Sequence, residues 1–219
     1  MNFKAVIFDL DGTLLDTLEE IADSMNGTLI RLGFPIHDLE AYRYLTGDGI
    51  VALITNALPA GGRDESTIRK AGEILREEYQ QRWALKTKLY DGIPELLEEL
   101  TRRGISLNIL SNKMDEFTQR AARQFLGRWT FDRILGDGSR FLRKPDPAAA
   151  LHIAAERNLG PAEVIYLGDT STDMMTAIAA GMFPVGALWG FRDRDELLAS
   201  GARAVISHPL EFLSFFGKE

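Results

Sequence analysis

Asp9 and Asp11 stand one residue apart in Asp9-Leu10-Asp11-Gly12-Thr13, directly after the apolar run Ala5–Phe8. A carboxylate is ionised at neutral pH and attacks without help from a base, so Asp9 suits a covalent nucleophile. Asp11 suits a general acid and base, protonating a leaving alkoxide and then activating water. Attack by a carboxylate on an anionic phosphoryl group needs cations nearby. Lys144, in the proline-stiffened segment Arg143-Lys144-Pro145-Asp146-Pro147, is one candidate. Asp169 and Asp173, flanking Thr170-Ser171-Thr172, offer oxygen ligands for a second. Asp169 would face a metal, and Asp173 would hold a coordinated water or Lys144. Mg2+ fits such an all-oxygen set, keeping several waters beside one or two carboxylates and the substrate phosphate. The Ser111 hydroxyl and the backbone N–H groups around Asn112 suit phosphate oxygens. Each residue also has an ordinary structural reading. Asp9 and Asp11 could end a strand or brace a turn, and Ser111 could cap a helix. Lys144 could be a solvated cation, and Asp169 and Asp173 an acidic helix start.

The elements around these residues decide whether they can meet. Ala5–Phe8 is short, apolar and free of helical periodicity, which predicts a strand buried on both faces. Ile105 to Leu110, Arg133 to Leu135, Val164 to Leu167, Val185 to Leu188 and Ala204 to Ile206 read as further strands. Helices are expected between them, over Pro94 to Gly104, Asp115 to Leu126, Pro147 to Asn158 and from Thr170 towards Gly181. Alternating strand and helix predicts a doubly wound parallel sheet, whose strands present their carboxyl ends on one edge. Asp9/Asp11, Ser111 and Asp169/Asp173 all follow strands and Lys144 precedes a helix, so that edge could bring them together.

The stretch from Asp16 to about Leu85 reads differently. Leu18, Ile21, Ala22, Met25, Leu29 and Leu32 fall at helical intervals after a cap at Asp16 or Thr17. Short helices are expected around Asp38 to Leu45 and Gly49 to Leu58. A longer one carries Ile68, Ala71, Leu75, Tyr79 and Trp83. No strand is predicted here, so the stretch reads as an inserted helical cap.

The 219 residues suffice for one α/β domain and a smaller insertion. A net charge of −7 argues against nucleic acid or an anionic membrane as partner, though not against a small anionic substrate. The chain has no cysteine, which excludes disulfides, thiolate catalysis and cysteine-held zinc. The N-terminal residues do not resemble a signal peptide, and no apolar run approaches the roughly 20 residues of a membrane span. A cytoplasmic protein is expected; monomer and homodimer are not distinguished.

Taken in order, Asp9-Leu10-Asp11-Gly12-Thr13, Ser111-Asn112, Lys144-Pro145 and Gly168-Asp169 through Asp173 resemble the four motifs of the haloacid dehalogenase-like phosphatases. That family carries a helical cap between its first strand and the serine motif, where this chain has its helical stretch. Gly47-Asp48-Gly49 and Trp189-Gly190-Phe191-Arg192 are similar to features of the phosphoglycolate phosphatase branch. The resemblance implies a Rossmann-like α/β core over 1–15 and 86–219 and a cap over 16–85. It implies an aspartyl-phosphate on Asp9 and acid/base work by Asp11. Phosphate would lie against Ser111, Asn112 and Lys144, and Mg2+ would be held by Asp9, the Asp11 carbonyl and Asp169. Dehalogenase members lack the second aspartate, so Asp11 argues against dehalogenation. The implied activity is Mg2+-dependent hydrolysis of a small phosphorylated metabolite such as 2-phosphoglycolate. A β-phosphoglucomutase-like phosphomutase, a pyrophosphatase and a phosphoacceptor switch would use related residues. A dedicated acid/base and a water-excluding cap favour turnover over a lasting switch.

Overall fold

The computed structural model describes residues 2–217, so residues 1 and 218–219 of the expected core lie outside the described part. Strand β1 (Ala5–Phe8) is buried at every position. Its side chains alternate: Val6 and Phe8 enter one apolar cluster, Ala5 and Ile7 the cluster on the opposite face. That two-sided burial explains why the run is apolar throughout.

Beyond β1 come a two-residue strand β2 (Leu15–Asp16), helices α1 (Leu18–Leu32), α2 (Tyr42–Leu45), α3 (Ile50–Ala57) and α4 (Glu65–Arg82), and strand β3 (Lys88–Leu89). The chain continues as α5 (Ile93–Arg102), β4 (Ser106–Met114), α6 (Asp115–Leu126), β5 (Arg133–Asp137) and α7 (Ala148–Glu156). It ends with β6 (Val164–Gly168), α8 (Ser171–Ala179), β7 (Phe183–Ala187), α9 (Arg194–Ala199) and β8 (Ala204–Ile206). Six strands form one sheet in the order β5-β4-β1-β6-β7-β8, every neighbour parallel. The predicted Rossmann-like core is present. Helices α5 and α6 cover one face and α7 and α8 the other.

Register sets the site. Phe8 pairs with Ile109 on β4 and with Leu167 on β6. Asp9, Leu110 and Gly168 are therefore level on three adjacent strands, where the sheet reverses its order of connection. The β4–β5 register shifts between Leu110 and Met114, so Ser111, Asn112 and Lys113 occupy an irregular stretch of strand. Such a bulge re-aims side chains that a regular strand would alternate. The sequence placed the end of this strand at Leu110; the pairing resumes beyond the bulge.

Helices α1, α2, α3 and α4 pack into their own cluster through Met25, Leu29, Tyr42, Leu53, Ile54, Ala71 and Leu75, with Phe191 reaching in from the core. The expected helix over Asp38 to Leu45 is confined to Tyr42–Leu45; the Asp38 carboxylate instead accepts the Ala41 N–H in the preceding turn. Thr17 holds the cap position of α1, but its hydroxyl makes no capping bond and is buried without a partner. Two features at the joint were not predicted. Strands β2 and β3 pair antiparallel, joining the two chain crossings. Glu20, buried on α1, accepts the backbone N–H groups of Lys86 and Thr87. No helix among the described residues is long and apolar enough to cross a membrane.

Candidate active site

At the carboxyl end of β1, Asp9 is buried and its Oδ1 accepts the Leu10 N–H at 2.7 Å. The Lys144 ammonium lies 3.0 Å from the same oxygen and donates to Asp173 Oδ1 at 2.7 Å. Lys144 is 3% exposed, so it is a buried cation and not a solvated one. Asn112 holds its backbone in place: Oδ1 accepts the Lys144 N–H at 2.9 Å, and Nδ2 donates to the Lys144 and Gly47 carbonyls. The Asn112 side chain is thereby committed to bracing, which leaves its backbone and Ser111 for a ligand.

Asp169 follows β6 and has both oxygens occupied. Oδ1 accepts the Thr13 hydroxyl at 2.7 Å and Oδ2 the Phe191 N–H at 2.9 Å. Such a close approach needs glycines on either side. Gly12 has φ +83°, and a Cβ on it or on Gly190 would overlap Asp169. Trp189 Nε1 donates to the Thr13 carbonyl, and Arg192 Nη2 donates to Thr46. Trp189-Gly190-Phe191-Arg192 thus locks the Asp11–Thr13 turn against Asp169 and reaches the helical block. Asp173 lies one turn into α8, where its Oδ2 accepts the Thr170 N–H and hydroxyl. The sequence left Asp173 between a coordinated water and Lys144; its free oxygen holds Lys144.

Ligand oxygens of Asp9, Asp169 and Asp173 lie within 4.8 Å of one another. Burial, then Asp173 and Asp11, push Asp9 up to about 7 despite Lys144. Burial, Asp9 and Asp173 push Asp169 well above the usual carboxylate range. Burial disfavours the Lys144 ammonium, yet Asp173 and Asp9 keep it protonated well above its ordinary pKa. With all three buried carboxylates ionised, the one buried ammonium would leave excess negative charge. A hard divalent cation fits that excess and the all-oxygen donor set.

Asp11 is bound by a residue that sequence reading passed over. Lys113 Nζ donates to its Oδ1 and Oδ2 at 3.0 and 2.9 Å, and sits 4.8 Å over the Tyr79 ring of α4. Burial opposes the Lys113 charge, but Asp11 and Tyr79 raise its pKa above the lysine norm. Its position directly after Ser111-Asn112 was the available signal. A cavity of about 90 Å³ opens beside Asp9, Asp11 and Ser111 and extends beneath the helical block.

Residues 6–187 match the model of the haloacid dehalogenase-like hydrolases, and the chain belongs to that family. Among proteins it resembles is a phosphoglycolate phosphatase of Pseudomonas putida, 31% identical over 93% of this chain and 76% of its own. A solved haloacid dehalogenase-like family hydrolase from Streptococcus pneumoniae is 29% identical with a TM-score of 0.87, covering 98% of this chain and 99% of its own. A Lactobacillus delbrueckii chain of known structure superposes over the full length of both with a TM-score of 0.92 at 24% identity, a likeness of fold alone. Within the family this is a phosphoglycolate phosphatase-like hydrolase.

Proposed function

We propose that this protein hydrolyses a small phosphomonoester through a phosphorylated Asp9, with 2-phosphoglycolate the first ester its relatives suggest. The observation that carries the reading is the meeting of Asp9, Lys144, Asp169 and Asp173 in one buried cluster beside Asp11 and a cavity. Both donors to Asp9 use Oδ1, which leaves Oδ2 less encumbered for attack on phosphorus. The bond from Asp9 oxygen to phosphorus forms as the ester P–O bond breaks, and Asp11 gives the departing alkoxide its proton. Asp11 then takes a proton from water, whose oxygen attacks phosphorus, releasing inorganic phosphate and the Asp9 carboxylate. Lys113 holds Asp11 in place between these transfers. Lys144, the Ser111 hydroxyl and the backbone at Asn112 would bind the phosphoryl oxygens. Asp9, Asp169 and the Asp11 carbonyl would hold Mg2+, with Asp173 supporting through Lys144. The metal would supply positive charge against that gathering on the phosphoryl group.

In this reading residues 1–15 and 86–219 form the core and 16–85 a cap. The cap would move at the joint made by β2, β3 and Glu20, excluding water when closed. The setting would be the cytoplasm, with no nucleic acid or membrane as partner. The test is phosphate release from 2-phosphoglycolate, sugar phosphates, nucleotides and pyrophosphate, with Mg2+ and with chelator. Selective, Mg2+-dependent release from a monoester, lost in Asp9→Asn, is the expected result. Folded protein that releases nothing, or Asp9→Asn that keeps wild-type turnover, would sink the proposal. A stable aspartyl-phosphate lasting many minutes would point to a phosphoacceptor instead.

A further inference from the structure

Both oxygens of Asp11 accept from a single ammonium, Lys113 Nζ, at 3.0 and 2.9 Å. An ester oxygen must come within about 3 Å of Asp11 to receive its proton, so one of those bonds has to be given up. Lys113 has little water to fall back on. Its side chain is 8% exposed, and Nζ lies 4.8 Å over the Tyr79 ring. A buried ammonium that yields one carboxylate oxygen needs another acceptor in its place.

The substrate can bring that acceptor. Asp9, Asp11, Ser111 and Lys113 all line the one cavity. Consider an ester with its phosphorus at Asp9 and its bridging oxygen at Asp11. A carboxylate on the carbon bonded to that oxygen has its own oxygens about 3 Å away, by ordinary bond lengths. Lys113 Nζ, equally close to Asp11, is then within hydrogen-bond reach of the carboxylate. The Tyr79 hydroxyl, buried without a hydrogen-bond partner on the same lining, is a donor for its other oxygen. A carboxylate one carbon further out must fold back to meet Lys113, and an alkyl chain offers it nothing.

A second cation stands behind the lining. Arg192 donates from Nη2 to the Thr46 carbonyl and from Nε to Glu196, and Nη1 is buried without a partner. Its Nη2 lies 3.5 Å from where a Cβ would stand on Gly47, on the far side of a loop that itself lines the cavity. Lys113 is on the lining and touches Asp11; Arg192 does neither.

We propose that Lys113 determines specificity by passing one of its two Asp11 bonds to a carboxylate on the carbon next to the ester oxygen. The substrate's second anion thereby frees Asp11 for the ester. The inference rests on the phosphatase reading and sharpens it to phosphate esters of 2-hydroxy acids, 2-phosphoglycolate being the smallest.

Three esters test it with Mg2+ present: 2-phosphoglycolate, the phosphate ester of 3-hydroxypropionate, and n-propyl phosphate. In the wild type, kcat/KM for 2-phosphoglycolate is expected to exceed each of the others by about tenfold or more. Lys113→Met should slow all three, because it also releases Asp11, and should bring the three values close together. Binding to Asp9→Asn, followed by calorimetry with Mg2+, gives a readout without turnover. Adding Lys113→Met there should weaken 2-phosphoglycolate by about tenfold and leave n-propyl phosphate nearly unchanged. A wild type that treats the three esters alike, or favours n-propyl phosphate, would overturn the inference and leave the phosphatase reading intact. A 2-phosphoglycolate preference kept by Lys113→Met would overturn it too, and its loss in Arg192→Met would then place recognition at that guanidinium. Turnover of no monoester would overturn both readings. Where Lys113→Met does not fold, Lys113→Gln makes the same comparison, and the wild-type ranking tests the inference by itself.

Discussion

The sheet edge and the wall of helices above it are built on opposite principles. At the edge, buried carboxylates sit against one another around a single ammonium, and nearly every oxygen has an assigned donor. In the helical block the core is apolar, and polar ties to the sheet domain run along its border: Asn112 to Gly47, Thr172 to Asp48, Arg192 to Thr46, Arg43 to Gly190, Arg76 to Glu116, and Glu20 to Lys86 and Thr87. The edge is therefore electrostatically strained and geometrically fixed. The block is content without a ligand and supplies shape. In the proposed function, chemistry falls to the edge and the shape of the substrate space to the block.

The sharpest way to break this contrast is Asp9→Asn. It should lower phosphate release by about ten-thousand-fold. At pH 8, above the raised Asp9 pKa, it should also raise the melting temperature of the metal-free protein, because it removes a buried negative charge. A lowered melting temperature would show that Asp9 is not in excess. Lys144→Met should act in the opposite sense on stability. Removing the buried cation is expected to cost about 3–5 kcal/mol in urea unfolding at pH 8, partly recovered with Mg2+.

The pH response separates the two regions. Burial raises the Asp9 pKa from 3.8 to about 7, so the folded state holds a proton that the unfolded chain has lost in that interval. The contribution of Asp9 to metal-free stability is thus fully present below about pH 4 and is lost as pH rises through about 7. Saturating Mg2+ should flatten the decline, and thermal unfolding from pH 4 to 9 with and without the ion checks it. Leu75→Ala, in the helical block, should destabilise by about 2–3 kcal/mol from lost packing, by the same amount at every pH. A pH-dependent loss there would blur the distinction. The smallest effect is expected from Asp48→Ala, which frees Thr172 from the helical block. A loss of about 1 kcal/mol is expected, with faster amide exchange confined to the loop around Gly47–Gly49.

Much of this was legible in the chain. Apolar runs ending in Asp9 and Asp169, with helices alternating after residue 90, specify a parallel sheet and the edge on which its acids appear. Helix α6 starts and stops where its residues predict, at Asp115 and Leu126. Strand β7 lies two residues before its expected start, at Phe183, because Pro184 did not prevent pairing. Lys113, Thr13 and the Phe191 N–H were missed as partners, since a lysine, a threonine or a backbone amide carries no mark of what it will face. Glu20 was missed for the same reason: on a helical wheel it is one more acid in a first turn, yet it is buried against Lys86 and Thr87.

What the sequence alone determined is local: hydrophobic period, turn glycines, and the kinds of functional group placed at each strand end. Those follow from interactions between near neighbours. Which groups meet was decided by tertiary structure, because strand register brings Asp9 level with residues 110 and 168 and a bulge turns Ser111–Lys113 to the same side. The raised pKa of Asp9, the pairing of Asp11 with Lys113 and the cavity beside them all depend on that burial and proximity, which only the folded chain creates.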